Sequence, residues 1–256
     1  MAARVRAVGR HEPLVLGLIG SLGFLALWQA AASAGWINPA ILSDPLRIAH
    51  AFVAQLASGQ LIADAEVSAT EFAIAFAASL VLGIALGLAM GVSCTLEYTL
   101  DPFMWFLYSS PLIVVYPLIV VWLGFGFRTV VMIAFLLTVV SIVVNTVAGV
   151  RGVDPALVQA VRVFGGNRWD VVRLAVLPSA APMILAGVRI GLSRTLHGAV
   201  LGEMFGSNAG LGFRMTVYGE KIQTSDVFVP LVIFVVIGVC ATAVTRAFER
   251  RLQSWR

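Results

Sequence analysis

Residues 189 to 203 carry Arg189, Arg194, His197 and Glu203 within a stretch otherwise built mostly of small and aliphatic side chains. A guanidinium at the centre of a bilayer costs roughly 2.5–3.5 kcal/mol to insert, so Arg189 and Arg194 must face protein, a carboxylate or a water-filled path rather than lipid. Two chemistries fit. One is structural, an arginine paired or snorkelling near a helix end, which suits Arg189 best; the other is electrostatic, a buried cation offering favourable potential to a passing anion. Bond-making chemistry has no foothold, because the sequence contains no G-x-S-x-G, no H-E-x-x-H and no paired membrane aspartates.

A second polar concentration lies at 155 to 182, "PALVQAVRVFGGNRWDVVRLAVLPSAAP". Asp154 is a good N-cap and Pro155 a good first helical residue, after which Leu157, Val161 and Phe164 recur with helical spacing until Gly165 and Gly166 stop the helix. Asn167 caps a second helix with Asp170 in its first turn and Trp169, Val172 and Val176 on one face, and Pro178 and Pro182 punctuate the entry to the next apolar run. Helices this short are not stable alone in water and must be held by packing against the rest of the chain or a partner. A loop that only fixed orientation would need neither caps nor a double-glycine hinge, so the stretch reads as a docking element.

The elements that position these groups are membrane spans. Hydrophobic residues make up 60% of the 256 and charged ones 12%, with a mean hydropathy of +0.96, well outside the usual soluble range. Apolar runs of spanning length occur at about 14–34, 67–92, 102–123, 128–150, 178–203 and 227–248, predicting an all-α polytopic membrane protein with six transmembrane helices and no separate soluble domain. With residues 1–13 inside, Arg4, Arg6, Arg10, Arg151, Arg162, Arg168, Arg173, Arg246, Arg250, Arg251 and Arg256 are cytoplasmic, against only Arg47, Arg128, Arg214 and Lys221 outside. The positive-inside rule therefore places both termini and the 151–177 loop in the cytoplasm, and the arginines serve topology rather than nucleic acid. The basic start resembles a signal peptide but lacks a clean cleavage site, so the first run is expected to be retained.

Within this frame Asp44-Pro45 starts a short amphipathic helix on the outer surface. Gly83, Gly87 and Gly91 form a small-residue row that lets the second span approach a neighbour closely. Pro111 and Pro117 should kink the third span, and broken helices are tolerated where they border protein or a cavity, which makes Pro111 and Tyr116 candidate pathway residues. Cys94 and Cys240 have no disulfide or metal spacing, His11 and His50 read as solvated, and the stretch after Glu203 reads as a long polar outer loop with glycine turns.

The sequence also resembles a family. Gly149, Val150, Arg151, Asp154, Gln159, Ala160, Gly165, Leu177 and Pro178 follow the order of the "EAA" cytoplasmic loop of bacterial ABC importer permeases. "LSDPLRI", "LGIALGLAMG", "LDPFMWFL", "YPLIVVWLGFG", "NTVAGVRGVDP", "VLPSAAPMILAGVRIGL", "LGEMF", "AGLGF" and "FERRLQSW" match in order the nitrate/sulfonate/taurine branch over roughly residues 40 to 255. The resemblance implies a type I ABC importer permease fold in the bacterial inner membrane. It also implies a second permease copy or related chain, two ATPase subunits that handle ATP and Mg outside this chain, an extracytoplasmic substrate-binding protein, and a small, anionic solute. Asp154, Leu157, Gln159, Ala160, Arg162, Phe164, Gly165, Gly166 and Arg168 then belong to the ATPase-coupling element, and the absence of G-x-x-x-x-G-K-[ST] fits ATP being handled elsewhere. Arg194 and His197 depart from the family's usual small and aromatic residues, which makes them the candidates for solute selectivity; Glu203 matches a family glutamate suited to bracing the outer end. Gln159 replaces the acidic residue that names the loop motif, and Glu71 stands where the family usually has arginine. The alternative is a secondary transporter or channel acting without an ATPase, which predicts internal repeats or membrane-embedded carboxylates for ion coupling.

Overall fold

The computed structural model describes residues 12–253, and within them every regular element is helical. The amino-terminal segment with Arg4, Arg6, Arg10 and His11, and Arg256 at the other end, lie outside the described residues. The order is α1 (Glu12–Ser33), α2 (Pro45–Ala57), α3 (Gln60–Val92), α4 (Cys94–Ser109), α5 (Leu112–Leu123), α6 (Phe127–Arg151), α7 (Pro155–Val163), α8 (Arg168–Val171), a π-helical turn (Val172–Val176), α9 (Leu177–Gly206), α10 (Leu211–Glu220) and α11 (Thr224–Gln253). Five helical stretches are long and apolar enough to cross a bilayer, and α4 with α5 forms a further pair bent by 108°.

α6 is the central helix, packed on one side by α3 and on the other by α9. Backbone proximity dictates both contacts. A Cβ added to Gly83, Gly87 or Gly91 would lie 2.9, 2.5 and 2.6 Å from side-chain atoms of Ile142, Thr146 and Val150, so only glycine lets α3 sit this close. The paired numbers rise together, so α3 and α6 run parallel. On the other side Gly187 meets Asn145, Gly191 meets Ile142, Gly198 meets Ala134 and Gly202 meets Val130, which makes α9 antiparallel to α6. The Thr138 and Thr195 hydroxyls, both fully buried, bond to each other at 2.8 Å across this seam and each also bonds within its own helix. These two hydroxyls are thus satisfied inside the seam.

The structure corrects two expectations. The third run is not one kinked helix over 102–123 but two helices, starting at Cys94 and broken at Ser110-Pro111. The proline ring denies Ser110 the helical region, and that residue is extended at φ −71° and ψ 129°. Pro178 does mark the entry to the fifth span, in the first turn of α9 where a missing N–H is tolerated, and the wide π turn, in which the Leu177 N–H donates to the Val172 carbonyl, joins α8 to it without a gap. The outer loop after Glu203 contains a helix of its own, α10.

Around this slab α1 exposes most of its large side chains, among them Leu16, Leu18, Leu22 and Leu27. It touches the body through Trp28, whose ring lies 6.0 Å from that of Phe228 on α11. α2 begins as the sequence predicts, with the Asp44 side chain accepting from the Arg47 N–H at 2.9 Å and Pro45 at the first position. Gln55 on α2 donates to Asp226 on α11 at 2.9 Å.

Candidate functional site

Because α6 leads into α7 and α9 runs antiparallel to α6, the α7–α8 unit and α10 stand at opposite ends of the bundle. At the first end the chain leaves α6 through Arg151, which forms an ion pair with Glu97 on α4 and contacts Cys94 Sγ at 3.6 Å. Asp154 then caps α7 by accepting from the Ala156 N–H at 2.8 Å. α7 closes in a Schellman motif: the Gly166 N–H donates to the Val161 carbonyl at 2.9 Å and the Gly165 N–H to that of Arg162 at 3.0 Å. The two glycines serve different needs. Gly165 adopts φ +82°, a conformation β-carbons resist, whereas a Cβ on Gly166 would lie 2.5 Å from Val161 Cγ1.

Asn167 and Asp170 form a reciprocal capping box at the start of α8: the Asn167 side chain accepts from the Trp169 and Asp170 N–H groups, and Asp170 accepts from the Asn167 N–H at 2.8 Å. The backbone is thereby satisfied without outside help, and the side chains are left free. Of the helically spaced Leu157, Val161 and Phe164, only Val161 is partly buried. Phe164 is 91% and Leu157 47% exposed, with Val163 at 84% and Trp169 at 67%, while Val153, Val171, Val176 and Ala180 pack beneath them. No residue of α7 is fully buried, and Val158 and Val161 are its least exposed side chains. Gln159, Ala160, Arg162 and Arg168 share the exposed surface. Val163 is a tip residue that the spacing argument missed, since it falls between the periodic positions.

Along α9 the glycines and Thr195 take the α6 side, while Arg189, Ser193, Arg194 and His197 are exposed. Arg189, Arg194 and His197 are exposed on this chain and come together around a small hollow of about 230 Å³, completed by Ile190, Ser193 and Thr242 of α11. Arg189 has an interaction of its own. The hollow opens into a larger groove of about 980 Å³ between α9 and α11, lined by apolar side chains that include Leu196, Val200, Phe234 and Val239. The groove is therefore basic at one end and apolar along its length. Pro111 and Tyr116 are elsewhere: Pro111 is exposed at the α4–α5 break, and the Tyr116 ring lies 5.9 Å from that of Phe205 near the far end of α9.

At that far end Glu203 is fully buried and accepts from the Gly212 N–H at 2.6 Å. Asp64 accepts from the Gly210 N–H at 3.3 Å and pairs with Arg214 at 2.5 Å, and Ser68 accepts from the Leu211 N–H at 2.9 Å. Three side chains from α3 and α9 thus cap the amino end of α10. On α10 itself, burial holds the Tyr218 phenol above its ordinary range, and its hydroxyl lies 3.3 Å from the Gln60 amide, whose oxygen accepts from Arg214 at 2.9 Å.

Comparison with known proteins places this architecture. Residues 79–254 match the family described as binding-protein-dependent transport system inner membrane component. The riboflavin transport system permease protein RibX of Chloroflexus aurantiacus is 34% identical over 256 residues, covering 100% of this chain and 96% of that protein. The taurine transport system permease protein TauC of Escherichia coli is 29% identical over 254 residues, covering 97% and 91%. Among solved structures, an inward-facing form of the MetNI methionine ABC transporter superposes with a TM-score of 0.62 at 19% identity, covering 77% of this chain and 98% of that one, so the fold is shared. The chain belongs to the binding-protein-dependent ABC transport permeases, within their sulfonate and taurine branch.

Proposed function

We propose that this permease carries a small anionic solute across the bacterial inner membrane, driven by separate ATPase subunits that press on the α7–α8 unit. The observation that carries the reading is the form of that unit: a backbone closed by its own caps presenting Phe164, Val163, Leu157 and Trp169 to solvent. Exposed aromatic and aliphatic anchors on a rigid, self-satisfied element are what a protein groove recognises. Asp154, Gln159, Ala160, Arg162, Gly165, Gly166 and Arg168 then shape and rim the contact, and ATP and Mg are bound by the partner.

Six spans with both ends inside are supported by the parallel run of α3 and α6, since the chain must return between Val92 and Phe127, and α4 with α5 is the segment that connects them. The arginine bias then puts α7 in the cytoplasm and α10 outside, where α10 and its preceding turn face a substrate-binding protein. Arg194 and His197 supply the positive end of the solute path, with Arg189, Tyr116 and Pro111 as further pathway residues. A second copy of this chain or a related one completes the path.

The test is purification of the full chain from its own membranes under mild detergent. A stoichiometric ATP-binding-cassette subunit that is lost on Phe164→Asp is the expected result. Substrate uptake by the chain alone in proteoliposomes, driven by an ion gradient and unaffected by ATP, would point instead to a secondary transporter.

A further inference from the structure

The buried outer junction holds more acid than it has partners for. Glu71 of α3 and Glu203 of α9 are both at 0% exposure, and they lie one turn from Ala75 and Ala199 respectively, which pack together where α3 and α9 meet. With both carboxylates ionised, neither oxygen of Glu71 has a donor, nor has Oε1 of Glu203. The remaining oxygen, Glu203 Oε2, is taken by the Gly212 N–H. The surrounding charges are accounted for: Asp64 on α3 is matched by Arg214 on α10, Arg128 at the head of α6 is exposed, and α6 faces this level with Thr129 and Val130, α5 with Tyr116. Two neighbouring carboxylates stripped of water and faced by no cationic side chain cannot both stay charged.

We propose that Glu71 and Glu203 hold one proton between them, Glu71 donating it to Glu203, and that this proton latches the outer helix α10 to α3 and α9. The assignment of donor rests on the geometry. Glu203 accepts from the amino end of α10, where a negative charge is favoured, so it is the ionised member; Glu71, with no other donor, is the protonated one. The contact left unsatisfied between two carboxylates becomes an ordinary O–H···O bond. Gly210 and Gly212 lie directly over Glu203, where added β-carbons would collide with its side chain, so lifting α10 is what admits water to the pair. Opening then releases the proton, and the opening equilibrium depends on pH. Because the closed form binds one proton more than the open form, closure weakens as pH rises, by about tenfold per pH unit while the difference is one proton.

The experiment is hydrogen–deuterium exchange of the 207–214 segment in the full chain in lipid nanodiscs, corrected for the intrinsic pH dependence of exchange. In the wild type, protection of this segment is expected to fall about tenfold per pH unit as pH rises above the ordinary carboxylate range of about 4–5, and to level off once the closed pair itself gives up its proton. In Glu71→Gln, whose amide donates to Glu203 as the protonated acid does, protection should persist and lose its pH dependence. A buried-carboxyl C=O band in the infrared spectrum should be present in the wild type at neutral pH and absent in Glu71→Gln. A wild type with pH-independent protection and no such band would overturn the proposal. So would protection that tracks sodium or potassium concentration at fixed pH, which would make the pair a metal-cation site. Loss of protection in Glu71→Gln together with its rescue in Glu71→Arg would show that Glu203 needs a cation rather than a proton.

Discussion

Replacing Phe164 by alanine separates what α7 does for the fold from what it does for a partner. The ring is 91% exposed, so the chain itself loses almost no packing when it is removed, and its own stability should change by less than about 0.5 kcal/mol. A partner groove that covers the ring removes about 150 Å² of apolar surface from water, worth about 3–4 kcal/mol at about 25 cal/mol per Å². The alanine methyl retains about a quarter of this, which leaves a loss of about 2.5 kcal/mol, or roughly 60-fold in the dissociation constant. The assay is titration of the nanodisc-embedded permease with the ATPase subunit that co-purifies with it, alongside thermal unfolding of the permease alone. An unchanged dissociation constant would refute the docking argument. A large drop in the permease's own melting temperature would show instead that Phe164 is a packing residue, against its exposure.

The same geometry sets other outcomes. Gly87→Leu should destabilise the fold by about 1–3 kcal/mol or prevent its assembly, because even a Cβ there lies 2.5 Å from Thr146, whereas Gly20→Ala on α1 meets nothing within 4 Å and should be neutral in thermal unfolding. Gly165→Val forces a β-branched residue to φ +82° and should loosen the α7 carboxy end by about 1–2 kcal/mol, read as faster amide exchange at Gly166. Arg194→Gln should weaken transport of an anionic solute by roughly tenfold while leaving a neutral analogue unaffected, as measured by competitive uptake. Glu97→Gln, which breaks the half-exposed pair with Arg151, should change the unfolding free energy by no more than about 1 kcal/mol.

What could be read from the sequence was local. Asp154, Asn167, Asp170 and the two glycines act within a few residues of themselves, so their capping chemistry is written in order along the chain. The glycine row of α3 was legible as a close-approach surface, although its counterpart on α9 is spaced less regularly and its partner, α6, carries no matching signature. α10 was not legible, and the reason is physical. Its N-cap is Gly210, which offers no side chain, and the hydrogen bonds that start the helix come from Asp64, Ser68 and Glu203, as many as 146 residues away. The break before Pro111 was visible as a proline but not as a full stop, since the α4–α5 bend depends on how the two pieces lie against α6 and α9. Glu71 stood out only as a residue of the wrong sign, and the structure gives that departure a neighbour.

The glycine contacts on both sides of α6 also determine how force can travel. With α3 and α9 seated against α6 at backbone distance, the three helices have no side-chain cushion to absorb displacement and behave as one stiff plate. α9 joins this plate without interruption to the π turn and α8, so it is a lever with a handle at one end. A helix of 30 residues is about 45 Å long, and tilting it by about 5° about its handle sweeps the tip through about 4 Å. That stroke falls at Glu203 and the turn before α10, whose amino end the same glutamate holds. A small tilt at the α8 end would thereby reach the α10 end of the bundle enlarged.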